Sequence, residues 1–389
     1  MFRVFSAPPR WHRAVAAALF CFLSVPAAGH AVDLHVAGLT VTQATQTDDQ
    51  SVPLIADRRA HVRVFVLADG ENQARPKVRL QFFYGRKARH QTIVSAPGGL
   101  AGVPIELARH DHAKSWNVTV PAGWIQPGLK LVAEVDPDRR VRESNEGNNR
   151  WPSRSGQAID VRKARPWKLT LVPIRLPDGR TSEATTSNIE SYVSFARRLY
   201  PVPEKLDVVV HGVFTTDTYV EYPSEFTRLV HQIDALRLLE RTPERYYAGL
   251  INPAFTTIAG MGWIPGKASV SAEYPLLVEF GRLSVRESIF AHELGHNLGL
   301  SHTPCGGAVG PDRNYPYLDG KIGRPGYDVF VSRAYAPDRA GDIMSYCATE
   351  SWISDYHYLK VLSHRERVAD ALVAEAARAV NEEVESLLV

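Results

Sequence analysis

The sequence predicts a multidomain chain, an all-β sandwich followed by an α/β (α+β) domain, and three observations predict it. The 389 residues exceed the usual length of one domain. From Asp33 to about Arg165, short apolar runs recur between turn signals without a 3.6-residue period. From Pro166 onward, strand-like and helix-like runs alternate, as in a layered α/β domain. Hydrophobic residues at 44% and charged residues at 22% are ordinary for a globular chain and exclude collagen, coiled coil or global disorder. The expected segments are 1–31, 32–164 and 165–389.

The first segment reads as a secretory signal. Arg3, Arg10 and Arg13 precede an apolar core, Ala14 to Val25, and small residues follow up to Ala31. The core is short for a bilayer span, and no later stretch is long and apolar enough to be one. The net charge of +3 resides in those three arginines, because residues 1–31 contain no acid. A neutral mature chain gives no electrostatic case for nucleic acid or an anionic membrane. Secretion or periplasmic export is therefore expected. Cys21 lies inside the signal, so Cys305 and Cys347 remain as an even pair bound for an oxidising compartment.

In the second segment the expected strands are Leu34–Thr42, His61–Leu67, Val78–Tyr84, Ser115–Val120, Leu129–Val135 and Ala158–Val161. Breakers such as Ala68-Asp69-Gly70, Pro97-Gly98-Gly99 and Pro127-Gly128 separate them. In the third segment strands are expected at Lys168–Leu176, Leu206–Val210, Tyr246–Ile251 and Phe255–Ile264, with helices at Thr186–Tyr200 and Ser224–Glu240. From Arg365 apolar residues recur every four positions (Val368, Leu372, Ala376, Val380, Val384), an amphipathic helix.

The stretch Val135-Asp136-Pro137-Asp138 through Glu143-Ser144-Asn145-Glu146-Gly147-Asn148-Asn149 resembles the closing hairpin of bacterial immunoglobulin-like adhesion modules of the CARDB type. The resemblance implies an immunoglobulin-like sandwich over residues 32–164. Its acids and amides suit Ca²⁺, and equally suit a tight hairpin that needs Asn, Asp and Gly sterically.

The chemistry concentrates in Ala291-His292-Glu293-Leu294-Gly295-His296-Asn297-Leu298-Gly299-Leu300-Ser301-His302, which matches H-E-x-x-H-x-x-G-x-x-H at every fixed position. On a helix, residues i and i+4 lie about 40° apart around the axis and about 6 Å along it, so His292 and His296 project side by side and can share one Zn²⁺. Glu293 is one residue off that row and reaches water held at the metal rather than the metal itself. Gly299 can adopt the left-handed conformation that ends a helix, letting His302 return as third ligand. Three histidines leave one coordination position open, the mark of a catalytic site, and Glu293 can move the proton as water attacks an amide carbonyl.

About forty residues on, Asp342-Ile343-Met344-Ser345-Tyr346-Cys347 follows. The long histidine motif with this second element resembles the metzincin metallopeptidases, whose Met-turn lies beneath the metal. The resemblance implies that Met344 forms the hydrophobic base and that Tyr346, as in astacin-like and serralysin-like members, ligates zinc or stabilises the oxyanion. If both segments flank one zinc, Cys305 and Cys347 come close enough for a disulfide; free thiols or a thiolate on zinc are the alternatives. In such relatives the edge strand before the motif receives the substrate, which places Phe255–Trp263 beside an extended peptide. Trp352, Ile353, Asp355 and Tyr356 follow the Met-turn, in the region that in such relatives walls the pocket beyond the scissile bond. Asp312, Asn314, Asp319 and Asp328 in the long loop 303–341 are candidate Ca²⁺ ligands or polar turn residues.

The expected function is that of a secreted zinc-dependent metalloendopeptidase acting on extracellular proteins, glycoproteins included, with the front module binding substrate or a surface, or serving as a spacer. Two alternatives stand beside it: an exported adhesion or binding protein with a structural zinc, and a zinc hydrolase of non-peptide amides.

Overall fold

The computed structural model describes residues 31–153, 155–273 and 285–369. The segment expected to be a signal and most of the expected C-terminal amphipathic helix lie outside the described residues. No described helix is long and apolar enough to cross a membrane.

In the N-terminal module, alternating apolar residues build two antiparallel sheets that face one another. One has the order Leu34–Thr42, Ala60–Ala68, Trp116–Val120. The other has the order Lys87–Val94, Val78–Tyr84, Leu129–Val135, Arg150–Trp151, with Gln157–Ala158 also on Leu129–Val135. Val62, Val64, Trp116, Leu80, Phe82 and Leu131 meet between them in one core. The Lys87–Val94 strand escapes sequence reading because it is an edge whose residues are mostly exposed, so burial imposes no alternation. The 135–149 stretch is tied down by protein groups: Asp136 accepts from the Val141 amide at 2.7 Å, and Glu143 accepts from the Leu34 amide and the Asn149 amide side chain, both at 2.8 Å.

The second module is built on a five-stranded path ordered Asp207–Val210, Lys168–Arg175, Tyr246–Ile251, Ala268–Ala272, Gly260–Gly262. The first four are parallel and the last, an edge, is antiparallel. Helices Glu190–Leu199 and Val285–Asn297 cover one face, where Leu169, Leu171, Ala248 and Leu250 meet Tyr192, Phe195, Phe290 and Leu294. Helix Pro223–Leu239 covers the other, with Val172, Ile174 and Val270 against Phe226, Leu229 and Ile233.

Two expectations are corrected, and one strand is added. The helix expected from Thr186 starts at Glu190, because the Asn188 side chain accepts from the Thr185 amide and donates to Glu183, closing a turn instead. The strand expected at Phe255–Ile264 shrinks to Gly260–Gly262, because the Thr257 amide and hydroxyl both donate to the Glu221 carbonyl and pull the chain off the sheet. Ala268–Ala272 joins the sheet unannounced: Ala-Ser-Val-Ser-Ala is too small and polar to read as a strand, yet all five residues are buried between neighbours.

Candidate metal centre

The helix Val285–Asn297 carries His292, Glu293 and His296, and its Phe290, Ala291 and Leu294 anchor it in the core. Gly299 closes it with φ of 86°, its amide donating to the His296 carbonyl at 2.9 Å. The chain reverses there and returns His302 to the same place. Among the described residues, His292, His296 and His302 are the one group of three or more potential ligands whose donor atoms converge, all within 4.8 Å of one another.

The geometry fits a metal ion. His302 Nε2 lies 3.2 Å from the Nε2 of both His292 and His296. Ligands about 2.0 Å from a tetrahedral centre stand about 3.3 Å apart, so the spacing matches a Zn²⁺ coordination edge. Each Nδ1 faces a backbone carbonyl: His292 that of Ile343 at 2.9 Å, His296 that of Leu300 at 2.8 Å, His302 that of Val309 at 2.8 Å. A carbonyl only accepts, so each Nδ1 carries the proton and each Nε2 presents a lone pair. Three lone pairs pointed at one another have no protein donor to satisfy them; a cation does. Burial keeps the rings neutral, lowering His292 to about 4 and His296 to about 3.

Glu293 is 5% exposed, and its Oε2 has no hydrogen-bond partner. Burial alone raises its carboxyl to about 8. The edge strand lies against it: a Cβ at Gly260 would stand 2.6 Å from Glu293 Cγ and 2.7 Å from Oε1. Only a strand with glycine there can pass so near the carboxylate.

Met344 is fully buried, and Thr303 donates to its carbonyl at 3.0 Å. The turn is held from behind by Asp342, which accepts from the Met344 amide at 2.9 Å, His357 Nδ1 at 2.8 Å and the Ser354 hydroxyl at 2.7 Å. Burial pushes this carboxyl up, but the His357 imidazole and the amide and hydroxyl donors more than reverse it, leaving it below its ordinary value. Tyr346 is 55% exposed, with its ring centroid 4.6 Å from that of His302. Cys305 and Cys347 form a disulfide that ties the His302 loop to the Met344 turn.

Other expected site residues fall elsewhere. Trp352 and Ile353 are fully buried, with Trp352 stacked on Tyr335 at 4.4 Å, so they belong to the core and not to a pocket wall. Asp312, Asn314, Asp319 and Asp328 do not gather into a ligand set. Asp312 is bound by Lys360 at 2.5 Å and Tyr356 at 2.9 Å, and buried Asp328 pairs with Arg198 at 2.9 Å, so protein donors already occupy these two.

Sequence reasoning missed Asp342, Ser354 and His357, whose only signal was their nearness to Met344 in the chain. It also missed Asn297, fully buried, whose side-chain amide donates to Ala268 at 2.8 Å and fixes the end of the histidine helix to the sheet.

A family model described as Peptidase M66 matches residues 283–342. That span holds all three histidines and Glu293 and stops before Met344, Tyr346 and Cys347. Search of curated proteins gives no match. Among solved structures, the CARDB domain of a Pyrococcus furiosus protein, in complex with di-metal ions, is 20% identical with a TM-score of 0.21, covering 34% of this chain and 93% of its own. A chaperone–substrate complex is 12% identical with a TM-score of 0.30, covering 64% of this chain and 39% of its own. Neither likeness bears on the fold at these scores. The family match, over the segment that holds the histidine cluster, supports a peptidase.

Proposed function

We propose that the chain is an exported zinc-dependent metalloendopeptidase of the metzincin type, acting on peptide bonds of extracellular proteins, glycoproteins among them. One observation carries the reading: three histidine ligand atoms converge, His302 Nε2 standing a tetrahedral edge from the other two, with a buried Glu293 carboxylate oxygen that no protein donor satisfies. Bound there, zinc would supply Lewis acidity, polarising a carbonyl and acidifying water.

The chain's own residues would do the rest. His292, His296 and His302 hold the ion, each oriented by its Nδ1–H bond to a carbonyl. Glu293, buried on the histidine helix with its Oε2 unclaimed by any protein donor, takes the proton of the attacking water and returns it to the leaving nitrogen. The outer edge of Gly260–Gly262 offers backbone donors and acceptors to an extended peptide, bringing its carbonyl towards Glu293. Tyr346, exposed with its ring 4.6 Å from that of His302, donates its hydroxyl to the oxyanion. Buried Met344 forms the floor behind the histidine helix.

The test is hydrolysis of casein or gelatin by the purified protein, with and without a chelator, beside Glu293→Ala. Cleavage that disappears with chelation and in the variant supports the reading. A wild-type protein that retains zinc and cleaves nothing across a broad peptide library overturns it.

A further inference from the structure

We propose that the N-terminal module is part of the metal centre's support and that Arg58 is a positioning residue for it. The inference rests on reading His292, His296 and His302 as a metal site. It assigns the module a role other than spacer or substrate binder.

Arg58 follows the short strand Leu54–Ile55 of the N-terminal module, and its side chain is fully buried. Its hydrogen bonds go to carbonyls, and mostly to those of the other module. Nη2 donates to Arg198 at 2.6 Å, and Nη1 to Tyr200 and, at 3.3 Å, to Val202. A weaker bond runs back to Gln43 at 3.4 Å. The guanidinium thus caps the C-terminal, partially negative end of helix Glu190–Leu199, where several carbonyls accept from a buried cation. Burial lowers its pKa, outweighing the opposing influence of Tyr358, Asp328 and Glu204.

Two routes lead from the N-terminal module to His292. Tyr200, held at its carbonyl by Arg58, donates its hydroxyl to the Ala291 carbonyl at 2.6 Å, one residue before His292. The second route starts at Ala44, in the same loop region of the N-terminal module. Its carbonyl accepts from Trp352 Nε1 at 2.7 Å and from the Tyr327 amide at 2.8 Å. Ser351–Trp352 pairs with Gly341–Asp342. Asp342 holds the Met344 amide, and the adjoining Ile343 carbonyl fixes the His292 ring at 2.9 Å. One route steadies the backbone of the histidine helix, the other the orientation of the imidazole. Ala44 and Val52 also sit in the core of the second module. A detachable spacer would show none of these contacts.

The experiment uses the full chain with Arg58→Met, Tyr200→Phe and the double variant. Zinc affinity is read by competition with a chromogenic chelator, and hydrogen exchange is followed over the helix 285–297. Arg58→Met is expected to weaken zinc by about 10- to 100-fold, the range for groups that orient ligands, and to speed exchange of the helix amides. Tyr200→Phe is expected to do the same to a lesser degree, and the double variant to lose less than the two singles multiplied, because both act on one path. Affinity within twofold of wild type in folded Arg58→Met, or fully multiplicative losses, overturns the inference. If Arg58→Met fails to fold, Arg58→Lys carries the comparison, with a smaller loss expected and none refuting it. If wild type binds no zinc, the metal reading fails by itself, and helix exchange still decides whether Arg58 braces the helix.

Discussion

Replacing Gly260 by alanine places one methyl group against the carboxylate assigned to proton transfer. The new Cβ would lie 2.6 Å from Glu293 Cγ, 2.7 Å from Oε1 and 2.8 Å from Cδ. Ordinary contact begins near 3.4 Å, so the side chain must retreat by about 0.8 Å at Cγ. The positive-φ glycines do not include Gly260, so alanine adds no backbone strain and the collision is the main effect. A misplacement near 1 Å costs about 100-fold in rate, and general acid–base assistance as a whole is worth about 100- to 10,000-fold. Gly260→Ala should therefore lower kcat by about 30- to 100-fold, less than Glu293→Ala, with zinc content unchanged. Steady-state hydrolysis of a peptide identified from the library, with metal analysis of the same sample, checks this. A variant with kcat within threefold of wild type would refute the reasoning. Gly262→Ala is the contrast: its Cβ would meet the Glu293 carbonyl oxygen at 2.6 Å, and a helix backbone cannot swing aside. That variant should lose about 1–3 kcal/mol of stability, visible as a lowered Tm.

Two further predictions concern stability. The Cys305–Cys347 bridge closes 42 residues of chain, so reduction or Cys305→Ser with Cys347→Ser should cost about 4 kcal/mol by loop entropy, read as a shift of the denaturant midpoint; an unchanged midpoint contradicts it. His61, 4% exposed and stacked on Tyr327 at 4.0 Å, is lowered to about 3 by burial, then by His112 and Arg63. Between about pH 6.5 and 3 the unfolded chain binds a proton there that the folded chain refuses, so stability falls as pH drops through that window. The slope from this residue is at most about 1.4 kcal/mol per pH unit, and His61→Asn should remove it from denaturation curves taken between pH 8 and pH 4. Parallel curves for wild type and variant would contradict it.

What could be read from the sequence was what is local in the chain. His292, Glu293, His296 and Gly299 lie on one helix and its cap, where spacing dictates direction, and Leu34–Thr42, Val78–Tyr84, Leu129–Val135 and Tyr246–Ile251 match their alternation of burial or their apolar runs. The rest depends on partners distant in sequence. Ala268–Ala272 is a strand because of its neighbours, not its side chains. Arg58 looks like any surface arginine until the carbonyls of 198–202 surround it. Trp352 follows the Met344 turn in the chain yet points into the core, drawn by Tyr335 and the Ala44 carbonyl. Nothing local marks His61 as buried; the stack on Tyr327, distant in sequence, covers it.

The central claim is that three imidazoles hold one zinc and leave a position open. Zinc-edge X-ray absorption on the purified protein tests it most directly. One zinc per chain is expected, with three nitrogen neighbours at about 2.0–2.1 Å and an additional light oxygen scatterer, and loss of the signal in His302→Ala. A sulfur shell near 2.3 Å, or a chain that binds no stoichiometric metal, would contradict it.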